Sequence, residues 1–320
     1  MTFLSSPETH AAPGSFGGGS LGHPAAVLAA ARFATLETRL EPDTASFWAH
    51  MRPGPKPCFT LDLLQDILAQ QALLRDALSA DRRAEFGPTL RYYVMGSRLP
   101  GIFNLGGDLS LFAEKIRNRD LPALRRYGHL CVEAIHGNAE AFQAPVVTIA
   151  LVQGDALGGG FECALAFDII VAERQVKFGL PEILFNLFPG MGAYSFLSRR
   201  IGQVEAEKMI MSGRLYSAEE LHAMGIVNVL AEPGEGEAAV RDYIDNGARK
   251  HNAQQALLRV RRRVDPVTLP ELKDVVDIWA ETALGISDMD LRKMLRLTQA
   301  QEKRVAAELG ARQPVVMAAE

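Results

Sequence analysis

The stretch Val146-Val-Thr-Ile-Ala-Leu-Val-Gln-Gly-Asp-Ala-Leu-Gly-Gly-Gly-Phe-Glu162 decides the fold class of this chain. Its first seven residues are almost all apolar, which is typical of a strand buried on both faces of a sheet. A glycine-rich turn and a short helical segment follow, and a second apolar strand is predicted at Ile169-Ile-Val-Ala172. Strand, helix and strand within about 30 residues predict a parallel βαβ unit, and therefore an α/β protein.

Two glycine-rich turns in this region predict a site for a negatively charged oxygen. Gly158-Gly-Gly160 precedes the predicted helix, and Gly106-Gly107 ends an apolar strand near Ile102. The first N–H groups of a helix have no internal partner, and the helix dipole adds about half a positive charge there. The turns lack both the P-loop and the dinucleotide-binding pattern. We therefore predict an oxyanion hole made of two backbone amides. The alternative is that both segments are tight turns that bind no ligand.

Two glutamates accompany these turns and predict acid–base chemistry. Glu162 lies in the first turn of the predicted helix, and Glu182 lies in the bend Phe178-Gly-Leu-Pro-Glu-Ile183. Both have aromatic and aliphatic neighbours, and burial together with a second acid nearby raises a carboxyl pKa. Such a pair supplies one neutral donor and one charged acceptor. Taken singly, Glu162 could merely stabilise the helix dipole, and Glu182 could be a solvated turn residue.

The remaining sequence predicts one domain with helical additions. Residues 1–28 are rich in Gly, Ser, Pro, Ala and His and are predicted to be a disordered lead. Residues 29–308 are predicted to form the catalytic domain, including a C-terminal helical region of about 235–308, and 309–320 a flexible tail.

Composition argues against several classes of protein. A net charge of −4 over 320 residues gives no basic field for nucleic acid. No apolar stretch approaches the roughly 20 residues of a membrane-spanning helix. The widely spaced Cys58, Cys131 and Cys163 suggest no disulfide framework, which fits a reducing cytoplasm. The histidines have no metal-ligand spacing, so neither a metal nor another cofactor is expected.

Three ordered motifs resemble those of the crotonase (enoyl-CoA hydratase/isomerase) superfamily. They are Phe103-Asn-Leu-Gly-Gly-Asp108, Gly154-Asp-Ala-Leu-Gly-Gly-Gly-Phe-Glu162 and Leu180-Pro-Glu-Ile183. The resemblance implies an α/β crotonase (ClpP-like) spiral fold of ββα units with a helical C-terminal extension. It also implies that the amides of Gly107 and Gly159 form the oxyanion hole, and that Glu162 and Glu182 are the acid–base pair.

A narrower resemblance, to the diffusible-signal-factor synthases, runs from Phe178 through Met191-Gly-Ala-Tyr-Ser-Phe196 and recurs in Arg261–Thr268. It implies a fatty 3-hydroxyacyl thioester on acyl carrier protein, dehydrated and then hydrolysed to a free cis-2-unsaturated fatty acid signal. Glu182 is predicted to take the α-proton and Glu162 to protonate the leaving hydroxyl. The resemblance also implies docking of a sensor kinase receiver domain, and crotonases usually form homotrimers.

An apolar acyl tunnel is expected, and the segment from Phe185 to Phe196 is its best candidate lining, with core packing as the alternative. The predicted substrate-binding residues are Leu157, Gly158, Phe185, Leu187, Phe188 and Met191. Two other functions stay open: an ordinary enoyl-CoA hydratase or isomerase acting on CoA thioesters, and a non-catalytic protein that binds a sensor kinase. Retention of both acids argues against the latter, because buried acids without a task reduce stability.

Overall fold

The structure, a computed structural model, describes residues 23–52, 54, 56–86 and 90–310. The strands are β1 (Leu36–Glu41), β2 (Ser46–Met51), β3 (Tyr92–Ser97), β4 (Ile102–Asn104), β5 (Val147–Val152), β6 (Asp155–Leu157), β7 (Ile169–Glu173), β8 (Lys177–Gly179), β9 (Leu215–Ser217) and β10 (Val229–Ala231). The helices are α1 (Pro24–Ala30), α2 (Leu61–Ala77), α3 (Ala80–Phe86), α4 (Leu109–Arg117), α5 (Leu121–Ala139), α6 (Gly159–Leu165), α7 (Ala193–Ile201), α8 (Gln203–Ser212), α9 (Ala218–Ala223), α10 (Gly236–Gly247), α11 (His251–Val264), α12 (Leu269–Ala283) and α13 (Asp288–Gly310). Single turns of 3-10 helix span Ala141–Gln143, Pro181–Phe185 and Ala248–Lys250.

The strands form two sheets, and the chain alternates between them. The larger sheet has the order β1-β2-β3-β5-β7-β10 and the smaller sheet the order β4-β6-β8-β9. Three times in succession the chain makes a strand of the large sheet, a short strand of the small sheet and then a helical segment: β3-β4-α4, β5-β6-α6 and β7-β8 with its 3-10 turn. The α/β architecture with repeated ββα units, predicted from the motifs, is therefore confirmed.

The interior strands of the large sheet are buried because helices cover both of its faces. All six residues of β5 are buried, as the unbroken apolar run predicted, and β5 pairs in parallel with β3 and β7. At the sheet edge, β1 and β2 form an antiparallel hairpin. Thr60 caps the start of α2, since its hydroxyl accepts from Leu63 N at 3.2 Å.

The C-terminal helices pack back onto the rest of the fold. Helix α12 lies against α5, where Val276 lies so close to Gly128 that a methyl group on this glycine would lie 2.5 Å from Cγ1. Helix α11 is tied to the core by buried Asp168, which accepts from Arg261 at 2.6 Å and from Arg262 at 2.7 Å. Helix α13 packs against α4 and against the 3-10 turn Pro181–Phe185.

Two boundary predictions need correction or lie outside the described residues. The disordered lead predicted for 1–28 is wrong at its end, because Pro24 begins α1 and Leu28 is buried; residues 1–22 lie outside the described residues. The flexible tail predicted for 309–320 begins too early, because α13 continues to Gly310, and 311–320 lie outside the described residues. No helix in the described ranges is both long and apolar enough to cross a membrane.

Candidate active site

The predicted site residues lie at one edge of the small sheet. Strands β4, β6 and β8 are neighbours and run parallel, so their carboxyl ends meet at the same edge. Strand β4 leads into Gly106-Gly107, β6 leads into Gly158-Gly159, and β8 leads into the turn that carries Glu182. Adjacent strands lie about 4.8 Å apart, so three loops distant in sequence converge within one small region.

The two glycine-rich loops touch because neither has a side chain at the point of contact. Gly106 has a φ of +99°, and a Cβ on it would lie 2.9 Å from Gly159 N. Gly158 has a φ of +52°, and a Cβ there would lie 2.5 Å from Glu182 Oε1. Both positions therefore require glycine for backbone conformation and for space. The same contacts place the second glutamate against the loop that precedes Gly159.

The two glycines predicted to form the oxyanion hole, Gly107 and Gly159, both line the same cavity. Gly159 is the first residue of α6, where an N–H has no acceptor within its own helix. The segment that contains Gly107 is held by other groups: Phe59 N donates to Gly106 O, and Leu105 N donates to Pro57 O, both at 2.8 Å. The sequence prediction of two amides from separate strand ends thus has a geometric basis, while their catalytic role stays a prediction.

Glu162 is held by the main chain. It is only 1% exposed, and its Oε1 accepts from Met191 N at 2.8 Å and from Ala193 N at 2.9 Å. Burial, and after it the negative charge of Glu182, raises the pKa of Glu162 well above its ordinary value, although the two amides act in the opposite direction. Because both amides bond to Oε1, a proton on this acid belongs on Oε2, the oxygen left for the cavity that Glu162 lines.

The carboxyl group of Glu182 has a different environment from that of Glu162. The residue is partly exposed, but its Oε2 is shielded from solvent and has no hydrogen-bond partner among the described residues. Burial raises the pKa of Glu182 to about 7. Both carboxyl groups therefore have pKa values above the ordinary one. The assignment of one as the base and the other as the acid stays a prediction.

Both glutamates and both glycines line one mainly apolar cavity. Of the predicted acyl-binding residues, Gly158, Phe185, Leu187 and Met191 also line it. Sequence reasoning missed the walls contributed by other elements. These are Leu105, Leu109, Phe112, Tyr127, Gly128, Cys131, Val276, Trp279, Leu297 and Gln301. The walls from α12 and α13 are separated from the motifs by more than ninety residues of sequence, and no local pattern marks them.

Two predicted substrate-binding residues do not reach the cavity. Leu157 is partly buried and packs with Ile102, Leu105 and Val305. Phe188 is partly buried against the main hydrophobic core, as the core-packing alternative expected. The structure therefore does not bring these two residues to the cavity with the other predicted substrate-binding residues.

The cavity is poorly suited to two other kinds of chemistry. Among the described residues, no three His, Cys, Asp or Glu side chains lie together as metal ligands would. Cys131 lines the cavity, but burial raises the pKa of its thiol far above the ordinary value. Because a thiolate is the nucleophilic form, Cys131 is a poor nucleophile here. The two carboxyl groups are the reactive groups that the cavity offers.

Comparison with known proteins agrees with this geometry. The model of the enoyl-CoA hydratase/isomerase family matches residues 69–259. The mitochondrial methylglutaconyl-CoA hydratase of Rattus norvegicus is 34% identical over 184 residues, which make up 57% of this chain and 54% of that protein. The chain thus spans about half the length of that curated relative.

Two solved structures are also similar. The enoyl-CoA hydratase from Bacillus halodurans superimposes with a TM-score of 0.67 over 82% of this chain and all of that one, at 20% identity, which shows the shared fold. Pseudomonas aeruginosa DspI superimposes with a TM-score of 0.59 at 26% identity, covering 74% of this chain and 92% of that one.

Proposed function

Because this chain belongs to the enoyl-CoA hydratase/isomerase family, we propose that it removes water from a 3-hydroxyacyl thioester and then hydrolyses the 2-enoyl thioester to a free fatty acid. The observation that carries the proposal is the convergence of Gly107, Gly159, Glu162 and Glu182 on one apolar cavity. Removal of water from an acyl thioester is the chemistry expected for this family. The carrier, the hydrolysis step and the identity of the product are proposed in addition.

In the dehydration, the thioester oxygen accepts from the amides of Gly107 and Gly159. Ionised Glu182 removes the α-proton, and the electron pair forms the C2–C3 double bond. The C3–O bond breaks, and Glu162 gives its proton to the departing hydroxyl, which leaves as water. Negative charge on the carbonyl oxygen grows during this step, and loss of one preorganised donor to such an oxygen typically costs about 2.7–4 kcal/mol of barrier.

Hydrolysis uses the same groups. After dehydration Glu162 is ionised and can accept a proton from a water molecule that attacks the thioester carbonyl. The oxyanion of the tetrahedral intermediate is stabilised by the two amides. The C–S bond then breaks, and the thiolate takes the proton that Glu182 removed from C2, which leaves Glu182 ionised and Glu162 protonated for the next cycle. Direct attack by water, rather than an acyl-enzyme on Cys131, is favoured because the raised pKa of Cys131 keeps its thiol protonated.

The proposed substrate is a 3-hydroxyacyl chain on acyl carrier protein, and the proposed product is a cis-2-unsaturated fatty acid signal. The segment Met191–Phe196, which resembles the diffusible-signal-factor synthases, supports this choice. Met191 N and Ala193 N, in this segment, hold Glu162 Oε1, so the segment bears directly on the acid. Docking of a sensor kinase receiver domain, assembly as a homotrimer and a cytoplasmic location belong to the same proposal and depend on the resemblance alone.

A second candidate function is that of an ordinary hydratase acting on CoA thioesters. The name of the methylglutaconyl-CoA hydratase to which this chain is similar favours it. The cavity suits both functions, because dehydration of a 3-hydroxyacyl thioester is the reverse of enoyl thioester hydration. The two functions differ in the carrier and in whether free acid is released.

Mass spectrometry of products from matched 3-hydroxyacyl carrier proteins and CoA esters of increasing chain length tests the proposal. We expect enoyl thioester and free acid from the carrier-protein series, and neither from Glu162→Gln or Glu182→Gln. Brisk hydration of crotonyl-CoA without release of any free acid would instead identify the ordinary hydratase. Wild-type turnover by either glutamine variant would contradict the acid–base assignment.

A further inference from the structure

The hydroxyl of Tyr127 links two main-chain segments beside the predicted oxyanion hole. Tyr127 lies on α5, is 3% exposed and lines the cavity. Its hydroxyl donates to Phe59 O and accepts from Asp108 N, the latter at 3.0 Å. Asp108 follows Gly107 directly, so the hydroxyl fixes the peptide unit on the carboxyl side of the proposed oxyanion donor.

On the amino side of Gly107, Phe59 makes a second contact, this time with Gly106. Phe59 N donates to Gly106 O at 2.8 Å, and Phe59 forms an isolated parallel bridge with Gly107. Phe59 is thus bonded directly to the residue before Gly107 and, through Tyr127, to the residue after it. Neither Phe59 nor Gly107 lies in one of the ten strands that the structure describes, so their spacing is not fixed by an extended ladder of hydrogen bonds.

Packing around Gly107 adds to this restraint but does not replace it. The ring of Phe112 lies against Gly107, where a Cβ would come within 2.6 Å of Cζ, and it meets the ring of Tyr127 edge to face at a centroid distance of 5.2 Å. Ring contacts limit movement toward the ring, whereas hydrogen bonds fix the direction of the peptide plane. The direction of the Gly107 N–H is the quantity that matters for an oxyanion hole.

We propose that Tyr127 is a positioning residue, whose hydroxyl clamps the segment from Gly106 to Asp108 and thereby aims the Gly107 amide at the thioester oxygen. This inference rests on the proposed function. Tyr127 is not assigned a contact with the substrate, because its single proton is donated to Phe59 O and it accepts from Asp108 N. Burial raises the pKa of Tyr127 well above its ordinary value, so the hydroxyl keeps the proton that it donates.

Tyr127→Phe removes the clamp and leaves the ring in place. Outright loss of an oxyanion donor lowers kcat about 10²–10³-fold, and a misplacement of about 1 Å can cost about 10²-fold. For a donor that is displaced but still present, we expect kcat for dehydration to fall about 10–100-fold, with KM changed less than about threefold. A loss confined to kcat is the sign of an interaction made in the transition state.

Tyr93→Phe is the matched control. Tyr93 is fully buried, and its hydroxyl donates to Gln70 Oε1 at 2.7 Å in a part of the core that does not line the cavity. Both variants lose one buried hydroxyl and its bonds, so both are expected to lose stability. Only Tyr127→Phe should lose kcat. An equal loss of kcat in the two variants would assign Tyr127 a merely structural role and overturn the proposal.

Hydrogen–deuterium exchange gives a readout that needs no turnover. Exchange in the peptide that contains Gly106, Gly107 and Asp108 should be faster in Tyr127→Phe than in the wild type, and unchanged in Tyr93→Phe. Unchanged exchange in Tyr127→Phe, or a wild-type kcat, would overturn the clamp. If the wild-type enzyme turned over no acyl thioester, the proposed function would fail, whereas exchange would still decide whether Tyr127 restrains this segment.

Discussion

Replacing Glu182 by Gln should slow dehydration by about 10²–10⁴-fold and, at the same time, stabilise the folded protein at neutral and alkaline pH. The substitution keeps the shape of the side chain and removes its ability to ionise. In the fold, Glu182 Oε2 is buried without a partner among the described residues, and burial raises the pKa of Glu182 to about 7. An ionised carboxylate in this position is unfavourable for folding, which is the reason that its removal should increase stability.

The magnitude follows from the two pKa values. The ordinary pKa is 4.5 and the folded one is about 7. At roughly 1.36 kcal/mol for each pKa unit, ionisation of Glu182 costs the folded state up to about 3 kcal/mol. Because the amide nitrogen of the introduced glutamine side chain would also lack a partner, we expect a net gain of about 1–3 kcal/mol.

The pH dependence distinguishes this cause from a general packing effect. Below pH 4.5 the carboxyl is protonated in both the folded and the unfolded chain, so its ionisation does not affect the free energy of unfolding. As pH rises from 4.5 toward 7, the unfolded chain loses the proton while the folded chain retains it, and the wild type loses stability relative to the variant. Above about pH 7 the difference is complete.

Urea unfolding of wild type and Glu182→Gln at pH 5 and pH 8 measures the difference. The variant should have the higher free energy of unfolding at pH 8 and nearly the same value at pH 5, while its rate of dehydration falls by about 10²–10⁴, the usual contribution of a general base. Equal stability of the two proteins at pH 8, or an advantage of the variant that is already complete at pH 5, would refute the reasoning.

Two further predictions concern the same site. First, kcat/KM for dehydration should fall about tenfold per pH unit below about pH 7, because protonation of Glu182 removes the base; a pH-independent rate between pH 5 and 8 would contradict this. Second, Gly158→Ala should lower turnover at least about tenfold and stability by about 1–3 kcal/mol, because a Cβ on this residue, whose φ is +52°, would displace Glu182 Oε1. Gly234→Ala is its control: φ is +84° there but the space around it is open, so stability should fall while turnover is retained in steady-state assays.

Local sequence was sufficient to locate the two candidate acids. Strand β5, the triple glycine and Glu162 are contiguous, so one unbroken pattern gives the strand, the turn and the start of the helix. Glu182 was found because its motif has the expected order and spacing. The short strands β6 and β8, three residues each, were not predicted, because so short a segment has too little periodicity to be distinguished from a turn.

The cavity walls depend on contacts that no local pattern encodes. Trp279 is on α12, and its ring lies directly over Gly190, where a Cβ would come within 2.5 Å of Cγ. Gln301, on α13, lines the cavity and donates to Leu105 O at 3.4 Å. These side chains resemble any other amphipathic helix residues in the sequence, so only the packing of the C-terminal helices shows that they belong to the site.

Neighbouring residues of one motif can also lie in different environments. Leu157 and Gly158 were both predicted to bind substrate, but Gly158 lines the cavity, where its missing side chain leaves room for Glu182 Oε1, whereas Leu157 packs with Ile102 and Val305. The motif alone does not distinguish these two environments.

Exchange of the α-hydrogens of a saturated acyl thioester with D₂O tests the central claim most directly. Such a substrate has no hydroxyl to lose, so exchange requires only the base and a site that stabilises the enolate oxygen. Followed by mass spectrometry, the wild type should incorporate deuterium at C2, Glu162→Gln should retain exchange, and Glu182→Gln should lose it. Absence of exchange in the wild type, or equal exchange in Glu182→Gln, would contradict a base and an oxyanion hole that meet around one thioester carbonyl.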